Sequence, residues 1–197
     1  MKRFLKFILL LILLAVLGNF ILSEIIPGVK VLELAATPVP EWIDRQIIDV
    51  DGTSRRGVQL EGIRNIVIHY VGNPGTTAQQ NRDYYDNADS EVSSHFVVGL
   101  EGEIIQCIPL HEKSSASNHR NKDTISVEVC HPDATGKFTQ EAYDSLVKLT
   151  AWLCGVCGLD SGDVIRHYDI TAKQCPRYFV THEDAWQQFK KDVKGSL

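Results

Sequence analysis

An α/β layered domain is predicted by three features of this sequence: short β-branched apolar runs, longer stretches with apolar residues at helical spacing, and the interleaving of the two along the chain. Residues 65–70 (Asn-Ile-Val-Ile-His-Tyr) form the first apolar run and read as a strand. Residues 77–88 follow a Pro74-Gly75 turn and start on Thr77, a residue type that caps helices, so they read as a helix. Residues 96–99 give a short strand before the Glu101-Gly102 turn, and residues 104–108 give another. Residues 124–130 alternate, with Ile125, Val127 and Val129 on one face. Ser126, Glu128 and Cys130 then fall on the other face, which is expected to be exposed. Residues 139–157 are predicted to be helical: Thr139 caps them, Ala142, Leu146, Leu149 and Leu153 recur at helical spacing, and Gly158 stops them. Residues 164–167 supply a further strand. Thr181 is expected to start the last helix, with Glu183 and Asp184 in its first turn and Gly195 at its end.

With 197 residues, 44% hydrophobic and 23% charged, the chain suits one globular domain plus an N-terminal extension. A formal net charge of -5 and a pI near 5.8 argue against nucleic acid as a partner, since phosphate binding requires basic clusters that are missing here, whereas a neutral or zwitterionic glycopeptide remains compatible. Lys2, Arg3 and Lys6 precede an apolar run over residues 7–22, the profile of a secretory signal or a signal anchor. At ~1.5 Å per residue the run falls slightly short of a typical hydrocarbon core, so length permits either. The run ends in Phe20-Ile21-Leu22-Ser23-Glu24-Ile25, without the small residues that signal peptidase wants. The sequence therefore favours an uncleaved anchor over residues 1–23, with basic residues inside and the rest outside. Residues 24–40 show no sustained period and read as a spacer, leaving 41–197 as the domain.

Two histidines close strands, His69 after Ile66-Val67-Ile68 and His167 after Arg166, and Cys175 follows in Lys173-Gln174-Cys175-Pro176. Two imidazoles and a thiolate would make three ligands for a tetrahedral zinc ion and leave the fourth position for a water of lowered pKa. On spacing alone a second reading stands beside this one. A histidine at a strand end is usually a surface or hydrogen-bonded residue, and a cysteine before proline is usually a small buried hydrophobe.

Five words occur in one order: Ile68-His69-Tyr70 with Asn73-Pro74-Gly75-Thr76-Thr77-Ala78, then Ser94-His95-Phe96, Ile125-Ser126-Val127-Glu128-Val129-Cys130, His167-Tyr168-Asp169, and Lys173-Gln174-Cys175-Pro176. In these the chain, from about Arg55 onward, resembles the type 2 N-acetylmuramoyl-L-alanine amidases, the family that includes phage amidase-type lysozymes and the peptidoglycan recognition proteins. The resemblance implies a central mixed sheet flanked by helices, with a zinc groove at one edge. It implies His69, His167 and Cys175 as ligands of one zinc ion, Glu128 as general base and Lys173 as a positive charge that stabilises an oxyanion. Other members use a tyrosine just before the His-Phe pair as catalytic residue; here Ser94 stands there and the glutamate is present instead. Asp169 is a candidate acceptor orienting an imidazole, and His95 reads as structural.

One word departs from the family. A Trp-His pair is frequent in the loop before the Glu128 strand, where this chain reads Lys113-Ser114-Ser115-Ala116-Ser117-Asn118-His119, so a substrate contact is altered or supplied by His119. Cys107, Cys130, Cys154 and Cys157 allow three disulfide connectivities, and Cys154 and Cys157 read first as small core residues and second as a bridge. What the resemblance implies is a zinc-dependent enzyme that hydrolyses the bond between N-acetylmuramic acid and L-alanine in peptidoglycan. It is expected to be a monomer, held at the membrane by its N-terminal segment or secreted to the wall. The rival reading is a peptidoglycan-binding module without catalysis. A thiol-disulfide protein built on Cys154 and Cys157 lacks the βαβ context such a motif needs.

Overall fold

The computed structural model describes residues 8, 27–50, 53–87 and 89–197. Apart from Ile8, the predicted N-terminal anchor lies outside these residues. Among the described residues no helix is long and apolar enough to cross a membrane.

Six strands make one mixed sheet: β1 (Asp44–Arg45), β2 (Asn65–Ile68), β3 (Phe96–Val98), β4 (Ile104–Gln106), β5 (Thr124–Val129) and β6 (Val164–Arg166), in the spatial order β1-β4-β3-β5-β2-β6. β3 and β4 form an antiparallel pair across the predicted Glu101-Gly102 turn, while β3, β5, β2 and β6 run parallel. Parallel neighbours need crossovers, and the chain uses helices for them. Of the helices, α1 (Pro27–Ala35) precedes the sheet, α2 (Ala78–Tyr85) connects β2 to β3, α3 (Gln140–Cys157) connects β5 to β6, and α4 (Tyr168–Thr171), α5 (Arg177–Thr181) and α6 (Glu183–Gly195) follow the last strand.

One face of the sheet carries the main core. Ile66, Ile68, Phe96, Val98, Ile125, Val127, Val129 and Val164 pack there with Ala142, Leu146, Leu149 and Leu153 of α3 and with Trp186, Phe189 and Val193 of α6. Each large side chain buried this way contributes roughly 1.5–3 kcal/mol. α3 is bounded as its sequence predicts: the Thr139 hydroxyl accepts from the Ala142 amide at 3.1 Å, and Gly158 closes the last turn in the left-handed region at φ +61. The other face holds a smaller cluster of Ile48, Ala78, Tyr85, Val97, Ile105, Cys107, Ile108 and Cys130. There α2 is fixed by a reciprocal capping box between Thr77 and Gln80.

This second cluster corrects the reading of β5 as a strand with one exposed face. β5 lies between two parallel neighbours, so both its faces are covered; Ser126 and Cys130 are fully buried, and only Glu128 keeps partial access. Thr181 is likewise the last residue of α5 rather than the start of the final helix, which begins at Glu183 beyond His182. Within the expected spacer, α1 buries Val31 and Leu34 in the main core. Two buried positions three apart are too few to show as a period in the sequence. The two-residue strand β1 escapes notice for the same reason.

Candidate metal centre and active site

In the parallel register Ile68 of β2 pairs with Val127 of β5 on one side and with Arg166 of β6 on the other. The next residue on each strand is His69, Glu128 or His167. Three side chains distant in sequence thus come off one row, at the carboxyl ends of three adjacent parallel strands, where open α/β sheets place their sites. Backbone bonds hold the row beyond the strand ends: the His69 amide donates to the Val127 carbonyl at 2.8 Å, and the His167 amide to Ile68 at 3.2 Å.

Cys175 joins them by a local fold-back. After His167 the short helix α4 ends on Ala172 in the left-handed region at φ +60, and the Tyr168 amide then donates to the Cys175 carbonyl at 2.9 Å. The turn brings Cys175 Sγ to 3.8 Å from His69 Nδ1, and the two imidazole centroids lie 4.7 Å apart. All three residues are buried, and their candidate ligand atoms lie within 4.8 Å of one another. Zinc–nitrogen and zinc–sulfur bond lengths give tetrahedral edges of about 3.3–3.6 Å, so this donor set fits a zinc ion with small adjustment.

The electrostatics suit such a site. Burial, then the charges of His167 and Lys173, hold His69 well below the ordinary imidazole range. Burial, then Lys173, brings His167 down to about 4. Both rings are neutral at pH 7 and keep a lone pair for a metal. Burial, and next the Glu128 carboxylate, push the Cys175 thiol up to about 12, against the pull of the Tyr70 amide and Lys173. A metal taking that sulfur as thiolate must displace its proton.

Glu128 places Oε1 at 3.9 Å from His69 Nδ1, while its Oε2 is buried without a hydrogen-bond partner. Burial raises its carboxyl to about 7, with Lys173 opposing the rise. A carboxyl poised between its two forms near neutral pH can both take and return a proton. Lys173 itself is exposed, on the loop that carries Cys175, and its charge acts on His69, Glu128, His167 and Cys175 together.

Asp169 does not orient an imidazole. Its carboxylate accepts from the Arg166 amide at 2.8 Å and from the guanidinium Nη2 at 2.9 Å. The same guanidinium donates to the Phe179 carbonyl at 3.0 Å and to Glu183 at 2.7 Å. Arg166 therefore ties the ends of α4, α5 and α6 together and fixes the loop that presents Cys175.

The imidazoles have other partners, which the sequence reading missed. Ser117 Oγ lies 3.3 Å from His69 Nε2, and Asn118 Oδ1 lies 2.8 Å from His167 Nε2. Both residues belong to the loop that lacks the family's Trp-His pair, and that departure was the available signal. His119, the residue expected to compensate, is exposed. Ser94 is fully buried, with its hydroxyl donating to Ser126 at 3.1 Å in a cluster that includes Ser114 and His95. His95 accepts from the Ser126 amide at 3.0 Å and donates from Nε2 to the Glu112 carbonyl at 2.9 Å, a structural role. All five cysteines are buried, and with Cys107, Cys130 and Cys154 as thiols none of the possible disulfides forms.

The sequence model of the N-acetylmuramoyl-L-alanine amidase family matches residues 59–178, which takes in every residue of the row and Cys175. The chain belongs to this family. Among curated amidases it is 33% identical over 171 residues to the N-acetylmuramoyl-L-alanine amidase BlyA of Bacillus subtilis strain 168, covering 76% of this chain and 46% of that one. It is 29% identical over 170 residues to the amidase CwlL of Bacillus licheniformis, covering 78% and 47%. The chain thus spans about half the length of these amidases. Of solved structures, the catalytic domain of XlyA superposes with a TM-score of 0.67 at 27% identity, covering 77% of this chain and 98% of that one. PlyL shares the fold, with a TM-score of 0.69 at 24% identity over 79% and 98%.

Proposed function

We propose that this amidase hydrolyses the bond between the lactyl group of N-acetylmuramic acid and the L-alanine of the stem peptide, using one zinc ion held by His69, His167 and Cys175. The observation that carries this reading is the row of His69, Glu128 and His167 on three parallel strands, with Cys175 folded back onto it. Zinc, when bound, supplies a lowered pKa for water and polarisation of a carbonyl oxygen. Glu128 takes the proton of the attacking water on its carboxylate and delivers one to the leaving amine of L-alanine. Lys173 offers a fixed positive charge to the oxygen that becomes anionic when the amide carbon turns tetrahedral.

The substrate is extracytoplasmic, which agrees with an N-terminal anchor or signal over residues 1–23. Because α1 is packed into the domain from Val31 onward, an anchored chain would hold the catalytic domain close to the membrane surface rather than on a long tether. Mass spectrometry of the N-terminus of cell-associated protein distinguishes the two: an intact start supports the anchor, and a new N-terminus between Gly18 and Thr37 supports a cleaved signal.

The test of the activity is mass spectrometry of purified peptidoglycan after digestion by the protein. Free stem peptides with a new L-alanine N-terminus are expected. Intact muropeptides in the presence of bound zinc would instead support a recognition module that does not cut.

A further inference from the structure

Ser117 and Asn118 are consecutive, and each touches the outer nitrogen of a different candidate ligand. The amide oxygen of Asn118 can only accept a hydrogen bond. At 2.8 Å from His167 Nε2 it therefore calls for a proton on that nitrogen. A neutral imidazole carries one N–H, so the lone pair left for a metal is on Nδ1. His69 shows the same polarity: its Nδ1 faces Cys175 Sγ at 3.8 Å, and its Nε2 faces the Ser117 hydroxyl at 3.3 Å.

The loop is fastened in a way that preserves these two contacts. Asn121 Oδ1 accepts from the amides of both Ala116 and Ser117, and Arg120 donates to Asp123 at 2.7 Å and to Asn65 Oδ1 at 2.6 Å, tying the loop to the starts of β5 and β2. Asn118 itself sits in the left-handed region at φ +54, a conformation that asparagine tolerates and most residues do not.

We propose that Asn118, seconded by Ser117, is a positioning residue of the metal centre: its side-chain oxygen holds His167 as the Nε2–H tautomer and so selects Nδ1 as the ligand. The inference rests on the metal reading above. It predicts that the loop at which this chain departs from its family tunes metal affinity rather than only contacting substrate.

Two variants separate the amide from the backbone. Asn118→Gly removes the acceptor and adopts the left-handed conformation without strain, whereas Asn118→Asp keeps an acceptor oxygen in place. In chelator competition, Asn118→Gly is expected to bind zinc about 10–100-fold more weakly than wild type, with Asn118→Asp at least as tight as wild type. Long-range proton–nitrogen correlation spectra of the metal-free protein should show His167 as Nε2–H in wild type and Asn118→Asp, and as a tautomer mixture in Asn118→Gly. Wild-type affinity and tautomer in Asn118→Gly would overturn the proposal. Equal loss of zinc in both variants together with a lowered melting temperature would also overturn it, by assigning the effect to loop packing. If the wild type takes up no zinc, the metal reading fails, while the spectra still decide whether Asn118 sets the ring.

Discussion

On one face of β2 and β5, Ile66, Ile68, Ile125 and Val127 pack against α3 and α6; one residue along the same strands, on the other face, stand His69, Ser126 and Glu128. The apolar face stabilises the domain through burial alone. The polar face costs stability, since a glutamate whose carboxyl rises from 4.5 to about 7 on folding is opposed by its surroundings once ionised. That cost is absent below pH 4.5, grows through the interval and reaches about 3 kcal/mol above pH 7 in the metal-free protein. Strand alternation lets the two faces be set independently: an ample core on one side holds, in fixed register, groups that would not stay in place by themselves.

Substitutions on each side can break or sharpen this contrast. A large effect is expected from Lys173→Ala, which should lower turnover by about 10²–10³-fold while zinc binding and the melting temperature stay near wild type, as steady-state kinetics with metal analysis would show. Leu146→Ala, on the apolar side, should cost about 2–5 kcal/mol in denaturant unfolding and leave zinc affinity unchanged. A loss of zinc affinity there would mean that the two faces are coupled.

The smallest effect is a pH dependence. Burial depresses His95 to about 4, so the unfolded chain binds more protons than the folded one between pH 6.5 and 4. The stability this neutral ring contributes is present above pH 6.5 and is lost as the pH falls through 4, up to about 3 kcal/mol. Unfolding measured across that range should slope accordingly in wild type and flatten in His95→Gln.

Much of this frame is legible in the residues themselves. β2, β3, β4, β5 and β6 announce themselves through β-branched runs, and α3 through its cap, its spacing and Gly158. The candidate ligand trio is favoured in the sequence mainly through the resemblance, because nothing local joins His69 to a cysteine a hundred residues away; the parallel register of β2 and β6 brings His167 beside His69, and the fold-back after α4 brings Cys175. What remained hidden has tertiary causes. Glu128 looks solvated by alternation and is largely, not wholly, covered because its strand is central and parallel on both sides. Asp169 sits two residues from a candidate ligand and yet serves Arg166, which needs a carboxylate to hold three helices together. Ser117 and Asn118 look like ordinary loop residues until the fold sets them against the two imidazoles.

The most direct test of the account compares amide-bond cleavage by wild type and Glu128→Gln at equal zinc occupancy. One zinc per chain in both, with turnover reduced by about 10²–10⁴-fold in the variant, is the predicted result. Undiminished cleavage by Glu128→Gln carrying a full zinc would contradict it, and the row on β5, β2 and β6 would then hold a metal without supplying the base.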